Sequence, residues 1–237
     1  MSEPLPPVDF PSMPGPATAR PIEGRRREAP DAVPSASPPH AEGRGGRSLG
    51  TFRNTYYDFP REDAFEGAGV ALMSASCTKI ATVARGFHDA VCVQGSGRLK
   101  TGATVSFAKR DCACAELCPR TAQKICFEAL DAAKFPFGRG SLGQAITPLV
   151  TVAVDASVVP LGTPLYLPAF DGLALEEGAP PHDGCFRAED RGSRVVGSHV
   201  DVFTGDPSVT KLLNARVPSN LGVDVFVDTP RCATLRR

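Results

Sequence analysis

From about residue 50 onward, apolar and polar residues alternate in short runs broken by Gly, Pro and charged residues. Thr51–Phe59 alternates and ends at Pro60, and Gly69–Met73, Ile80–Val83, Ala90–Val93 and Thr104–Phe107 follow as further strand candidates. Spacing of this kind predicts a β-dominated unit. The β-branched content then rises through Val150–Val154 and His199–Phe203, and Leu221–Val227 predicts a last strand. The period lengthens to that of a helix twice. Over Thr121–Phe135, the residues Ala122, Ile125, Cys126, Ala129, Leu130 and Ala133 form one apolar stripe between Pro119 and Pro136. Over Pro207–Ala215, Asp206 is placed as N-cap, Pro207 opens the helix, and Val209, Leu212 and Leu213 face inward. The fold class expected is mainly β with one or two short helices.

Composition adds an arm in front of this unit. Residues 1–49 hold eleven of the 23 prolines and few large apolar side chains. A segment that buries so little cannot offset its chain entropy, so a disordered, Pro-rich spacer is expected, with the folded domain over residues 50–237. The Arg25-Arg26-Arg27 run is locally neutralised by Glu23, Glu28 and Asp31. Lys plus Arg equals Asp plus Glu, at 26 each, which leaves no net field to recruit nucleic acid. No apolar run approaches the length of a membrane span, and a monomer is expected. The Gly-, Pro- and Glu-rich stretch Phe170–Asp183 is expected to be an exposed insertion.

Eight cysteines stand at 77, 92, 112, 114, 118, 126, 185 and 232. An even, high count points to an oxidising compartment and up to four disulfides, whose pairing the sequence leaves open. Cys112, Cys114, Cys118 and Cys126 could together hold zinc, but C-x-C-x3-C-x7-C is not among the usual zinc spacings. Residues 75–145 therefore read as a Cys-rich, insertion-like segment, and no metal or cofactor is expected.

Asp155, Asp190 and Asp201 each sit at or inside a strand-like run, where a carboxylate is costly. The plain alternative is two strand-end turn residues and one outward charge. Alternation argues otherwise for Asp201, since it puts His199, Asp201 and Phe203 on one face and Val200 and Val202 on the other. The glycine-rich Phe137–Gly143 lacks the strand–loop–helix context of a phosphate cradle, and a substrate-lining loop or linker is the better expectation.

These residues carry a resemblance. Val152-Ala153-Val154-Asp155-x-Ser157-x-x-Pro160-Leu161-Gly162-Thr163, then Ala188-Glu189-Asp190-x-Gly192, then Gly197-x-x-x-Asp201-Val202-Phe203 resembles the three-aspartate (3D) domain of the membrane-bound lytic transglycosylase A family. Upstream, Gln94-Gly95-Ser96-Gly97-Arg98-Leu99 is similar to a segment of the same family. The resemblance implies a six-stranded double-psi β-barrel, with Tyr56 and Tyr57 in its first strand. It implies a lytic transglycosylase acting on a peptidoglycan glycan strand through one Asp that serves as acid and then base, and leaving a 1,6-anhydro product. Asp201 is expected in that role, Asp190 beside it, and Asp155 ordering the site; the first two roles could be exchanged. Tyr56, Tyr57, Gln94, Gly95, Ser96, Gly192 and His199 are expected to line the groove. The family's D-x-G-G-A-I-K-G stretch is altered, with Ser193, Arg194 and Val196 replacing the second Gly, the Ala and the Lys. An envelope or secreted location is implied, although Met1–Arg20 shows no signal-peptide core. The alternative is a non-catalytic glycan-binding wall module of the expansin-like type.

Overall fold

A computed structural model describes residues 45–175, 178 and 180–235. The predicted Pro-rich arm lies outside the described residues, apart from its last few. Strand β1 (Arg47–Asp58) opens the fold, three residues before the expected start. A disulfide-rich lobe follows: β2 (Gly69–Met73), β3 (Lys79–Ala84), α1 (Arg85–Gln94), β4 (Ser96–Arg98), β5 (Thr104–Lys109), β6 (Leu117–Cys118), β7 (Gln123–Lys124) and β8 (Cys126–Leu130). The chain then returns through β9 (Thr151–Val154), β10 (Pro164–Tyr166), β11 (Cys185–Asp190), β12 (His199–Gly205), α2 (Pro207–Arg216) and β13 (Val223–Val227).

Six of these strands close a barrel in the order β1-β12-β9-β11-β10-β13. β1 runs parallel to β12 and antiparallel to β13, and β9 is parallel to β11 but antiparallel to β12. Closure leaves no unpaired edge in the sheet. Alternation fills the interior with Val152 and Val154 of β9, Val200 and Val202 of β12, and Phe186 and Ala188 of β11, all essentially inaccessible to solvent. The same period turns Ala153, Phe203 and Tyr57 outward, into a second cluster with Phe59, Ile146 and Val195. The barrel's outer wall is thus apolar on this side.

Two predicted elements differ. Ala90–Val93 lies in helix α1 and not in a strand, because the buried residues Phe87, His88, Val91 and Cys92 recur at helical spacing. Gly95, with φ of 83°, ends that helix in the left-handed region, and its N–H bonds the Val91 carbonyl. The predicted helix Thr121–Phe135 is instead β7, a turn and β8. β8 pairs antiparallel with β5, placing the fully buried Phe127 opposite Phe107, and Cys126 is bonded to Cys112. The small residues of the apolar stripe suit either period, and the pairing partner decides.

The expected insertion is exposed at Gly172, Ala174, Gly178, Pro180, Pro181 and Asp183, but its large apolar residues are not. Phe170 is fully buried and Leu175 nearly so. The segment folds back through bonds from Gly172 N–H to the His182 carbonyl and from His182 N–H to the Leu173 carbonyl. The His182 ring stacks on Phe186 of β11 at 4.6 Å. Helix α2 forms as expected, with the Asp206 carboxylate accepting from Ser208 N–H and Leu213 buried.

All eight cysteines are in disulfides: Cys77–Cys114, Cys92–Cys118, Cys112–Cys126 and Cys185–Cys232. Three staple the lobe and the fourth fastens the tail to β11. Among the described residues, no helix is long and apolar enough to cross a membrane.

Candidate active site

Between the barrel's outer wall and the disulfide-rich lobe lies a groove of about 860 Å³. The barrel contributes Tyr57, Ala153–Asp155, Asp190–Ser193, Val195, Val196 and Asp201, and the lobe contributes Gln94–Ser96, Ser106, Phe107, Arg110, Gln123 and Ile125. The loop before β9 adds Arg139, Gly140 and Ser141. All three aspartates line this one groove.

Strand register places two of them. Ala153 is paired with Asp201 on one side and with Asp190 on the other. Two strand spacings separate the two backbones by roughly 10 Å, and the buried Ala153, in one cluster with Tyr57 and Phe203, lies between them. Strict alternation would send Asp190 into the barrel with Phe186 and Ala188. The β11–β9 register shifts between Ala188 and Asp190, so Glu189 is an extra, bulged residue and Asp190 turns out into the groove. The Glu189 carboxylate is itself buried, accepting from the Thr151 hydroxyl at 2.5 Å and paired with Arg187.

The environments of the two carboxyls differ. Asp190 accepts from the Tyr57 hydroxyl at 3.1 Å, the Ser141 hydroxyl at 3.2 Å and the Arg191 N–H at 2.8 Å. Burial pushes its pKa up against the pull of these three donors. Asp201 accepts from the Thr55 hydroxyl at 2.6 Å. Burial is the main cause that pushes its pKa up to about 6; the Thr55 hydrogen bond opposes it, the Asp190 charge adds to it, and Arg53 opposes it. Three donors favour the ionised form of Asp190, against one for Asp201. Burial first, and then both carboxylates, push the Tyr57 phenol well above its ordinary range, so it remains a donor.

Asp155 is a different kind of residue. It lies at the surface and accepts from the Ser157 N–H and hydroxyl and from Gly197 N–H at 2.9, 2.6 and 2.7 Å. These bonds hold its pKa down at about 2. Its carboxylate ties the turn after β9 to the loop before β12, and so fixes the groove wall that carries Gly192, Val195 and Val196.

The remaining expected residues separate into two groups. Tyr57, Gln94, Gly95, Ser96 and Gly192 line the groove. The Ser96 hydroxyl donates to the Phe137 carbonyl at 2.8 Å. Gly138, with φ of 113°, passes so close that a Cβ there would lie 2.6 Å from that of Ser96. Tyr56 does not line the groove. Adjacent strand residues face opposite ways, so its ring meets Phe170 edge-on and its hydroxyl donates to the Val217 carbonyl at 2.5 Å. His199 is also withheld from the groove: it is nearly buried, and it reaches Asp201 only through Thr55. Thr55 and Ala153 went unrecognised as site residues, and Ser141 was expected only as part of the Phe137–Gly143 loop, substrate-lining or linker. For Thr55 a signal existed, since it shares a face with Tyr57 at period two.

Arg194 joins the two walls, its guanidinium donating to the Arg120 carbonyl of the β6–β7 turn at 2.7 Å. Val196, at the altered Lys position, is 67% exposed at the groove rim.

Residues 150–211 match the family model of the 3D domain. A comparison with the sequences of curated proteins finds no match. Among solved structures, the fold is similar to Escherichia coli MltA with bound chitohexaose, at 17% identity and a TM-score of 0.52, covering 75% of this chain and 71% of that one. A membrane-bound lytic murein transglycosylase from Agrobacterium tumefaciens aligns at 19% identity and a TM-score of 0.47, over 67% and 54% of the two chains. Residues 150–211 thus carry a 3D domain, all three aspartates within it, set in a double-psi β-barrel of the kind seen in the Escherichia coli MltA structure.

Proposed function

We propose that the groove binds a peptidoglycan glycan strand and cleaves it as a lytic transglycosylase, with Asp201 as the single acid/base. The observation that carries this is a buried carboxyl, raised to about 6, two strands from a second carboxyl on the same wall of the groove. The Asp201 proton passes to the glycosidic oxygen between N-acetylmuramic acid and N-acetylglucosamine as the bond from that oxygen to C1 breaks. The Asp190 carboxylate offsets the positive charge that develops at C1 and the ring oxygen. The muramyl C6 hydroxyl then attacks C1, its proton returns to Asp201, and a 1,6-anhydro ring closes without consuming water. Tyr57 and Ser141 keep Asp190 charged and in place. On this reading the protein works in the cell envelope.

Val196 favours a second reading. Where the resemblance leads one to expect a Lys at the substrate, the groove rim is apolar, as suits a glycan-binding module without turnover. Purified peptidoglycan incubated with the protein and analysed by mass spectrometry distinguishes the two. Anhydromuropeptides from the wild type and none from Asp201→Asn are expected. Binding without product would establish the module, and reducing-end products would establish a hydrolase.

A further inference from the structure

Thr55 stands between Asp201 and His199, and its hydroxyl has one hydrogen to give. Its oxygen lies 2.6 Å from Asp201 Oδ1 and 2.8 Å from His199 Nε2. The other ring nitrogen, Nδ1, faces the Arg194 carbonyl at 3.3 Å. That carbonyl can only accept, and its residue is held from the far wall by the bond to Arg120.

We propose that His199 is a positioning residue for Asp201, acting through the Thr55 hydroxyl in a hydrogen-bonded line whose direction reverses with the proton on Asp201. This rests on Asp201 being the group that carries the reacting proton. With Asp201 protonated, its O–H donates to Thr55, Thr55 donates to Nε2, and the imidazole N–H on Nδ1 donates to the Arg194 carbonyl. Every contact is then satisfied. With Asp201 ionised, Thr55 donates to the carboxylate and accepts from an N–H on Nε2. Nδ1 then turns a lone pair on the Arg194 carbonyl. The carbonyl therefore biases the line toward the protonated acid, and the ionised form is the less comfortable one, as a proton donor requires. One proton leaves Asp201 and the imidazole N–H changes nitrogen; no other atom is gained or lost.

The surrounding charges are consistent with a neutral ring. Burial, and then Arg53 on the neighbouring strand, hold the His199 pKa below its ordinary value, against the Arg194 carbonyl contact. Asp201 meets Asp190 from β11 and Tyr57 and Arg53 from β1, so its own titration drives the switch.

The test is side-chain nitrogen NMR of the full chain, labelled with 15N, over a pH series that spans the Asp201 titration. His199→Phe identifies the His199 signals among the four histidines. The expected result, read on the neutral ring above the imidazole's own titration, is an Nδ1–H tautomer at the acidic end giving way to Nε2–H at the alkaline end. Asp201→Asn should abolish the change, Thr55→Ser should keep it and Thr55→Val should remove it. One tautomer throughout, or a change that survives Thr55→Val, overturns the proposal. These spectra need no turnover, so a tautomer switch in a protein that releases no anhydro product would refute the proposed reaction and leave the line intact. Where product forms, His199→Phe leaves the Thr55 hydroxyl free for the carboxylate. The alkaline limb of its pH–rate profile should move down by about one unit, a roughly tenfold loss of protonated acid at neutral pH.

Discussion

Replacing Asp201 by Asn should make the protein more stable as it makes it inert. The Asp201 carboxyl is raised from its ordinary 3.8 to about 6, chiefly by burial. Native protein therefore binds a proton that unfolded chain releases between those two values. Stability from this proton is fully present below the unfolded pKa and is lost as pH rises through the folded one. A displacement of about two units corresponds to about 3 kcal/mol of penalty on the buried carboxylate above pH ~6. Asn keeps an oxygen for the Thr55 hydroxyl and carries no charge, so it escapes that penalty. Relaxation around the charge lowers the expected gain to between about 1 and 3 kcal/mol, or several degrees of Tm for a domain of this size. Thermal or urea unfolding of both proteins at two pH values tests the argument, with disulfides intact. Near pH 4 the curves should almost coincide, and at pH ~7.5 Asn should be the more stable. An Asn variant that is no more stable at the higher pH would show that Asp201 is well solvated as an anion. The acid assignment would then lose its basis.

Removing the Tyr57 hydroxyl (Tyr57→Phe) leaves Asp190 with two donors in place of three. Product release should fall about tenfold while binding to insoluble peptidoglycan persists, as expected for one lost hydrogen bond to a charged group; an unchanged rate would exclude Tyr57 from the site. Asp155→Ala should lower Tm at neutral pH, because a depressed pKa contributes stability that is present above the unfolded value and lost as pH falls toward about 2. Melting curves at pH ~7 and pH ~2.5 should show the difference shrinking, and hydrogen exchange should localise the loosening to the loop around Gly197. The double variant Cys185→Ala/Cys232→Ala removes the disulfide that joins β11 to the tail. It should cost about 2–4 kcal/mol in urea unfolding, with proteolysis beginning beyond Val227.

The alternation around Asp201 was legible because it is local: Val200 and Val202 enter the barrel core as the period demands. Asp190, expected from the resemblance alone, shows where a local rule fails. Its period places it inside the barrel, and only the bulge at Glu189, visible in the pairing with β9, turns it out. Period two could have placed Thr55 on the face of Tyr57, but its partner Asp201 lies 146 residues away, so what it does there is read only from the strand register. Tyr56 and Tyr57 were both expected in the groove, yet neighbouring strand residues cannot share a face. The mistaken helix over Thr121–Phe135 has a related cause. Alanines carry little information about period, and the Cys112–Cys126 bond with the β5 partner selected the strand.

Strand β1 is made first and completed last. Its early half is zipped to β13, with Thr51 bonded to Asp224 across 173 positions, and its later half is zipped to β12. A ribosome-bound chain that has not yet released these last strands holds Thr55 and Tyr57 with nothing to meet them. On the proposed reading, destructive capacity toward the wall arrives in one step, after synthesis and barrel closure.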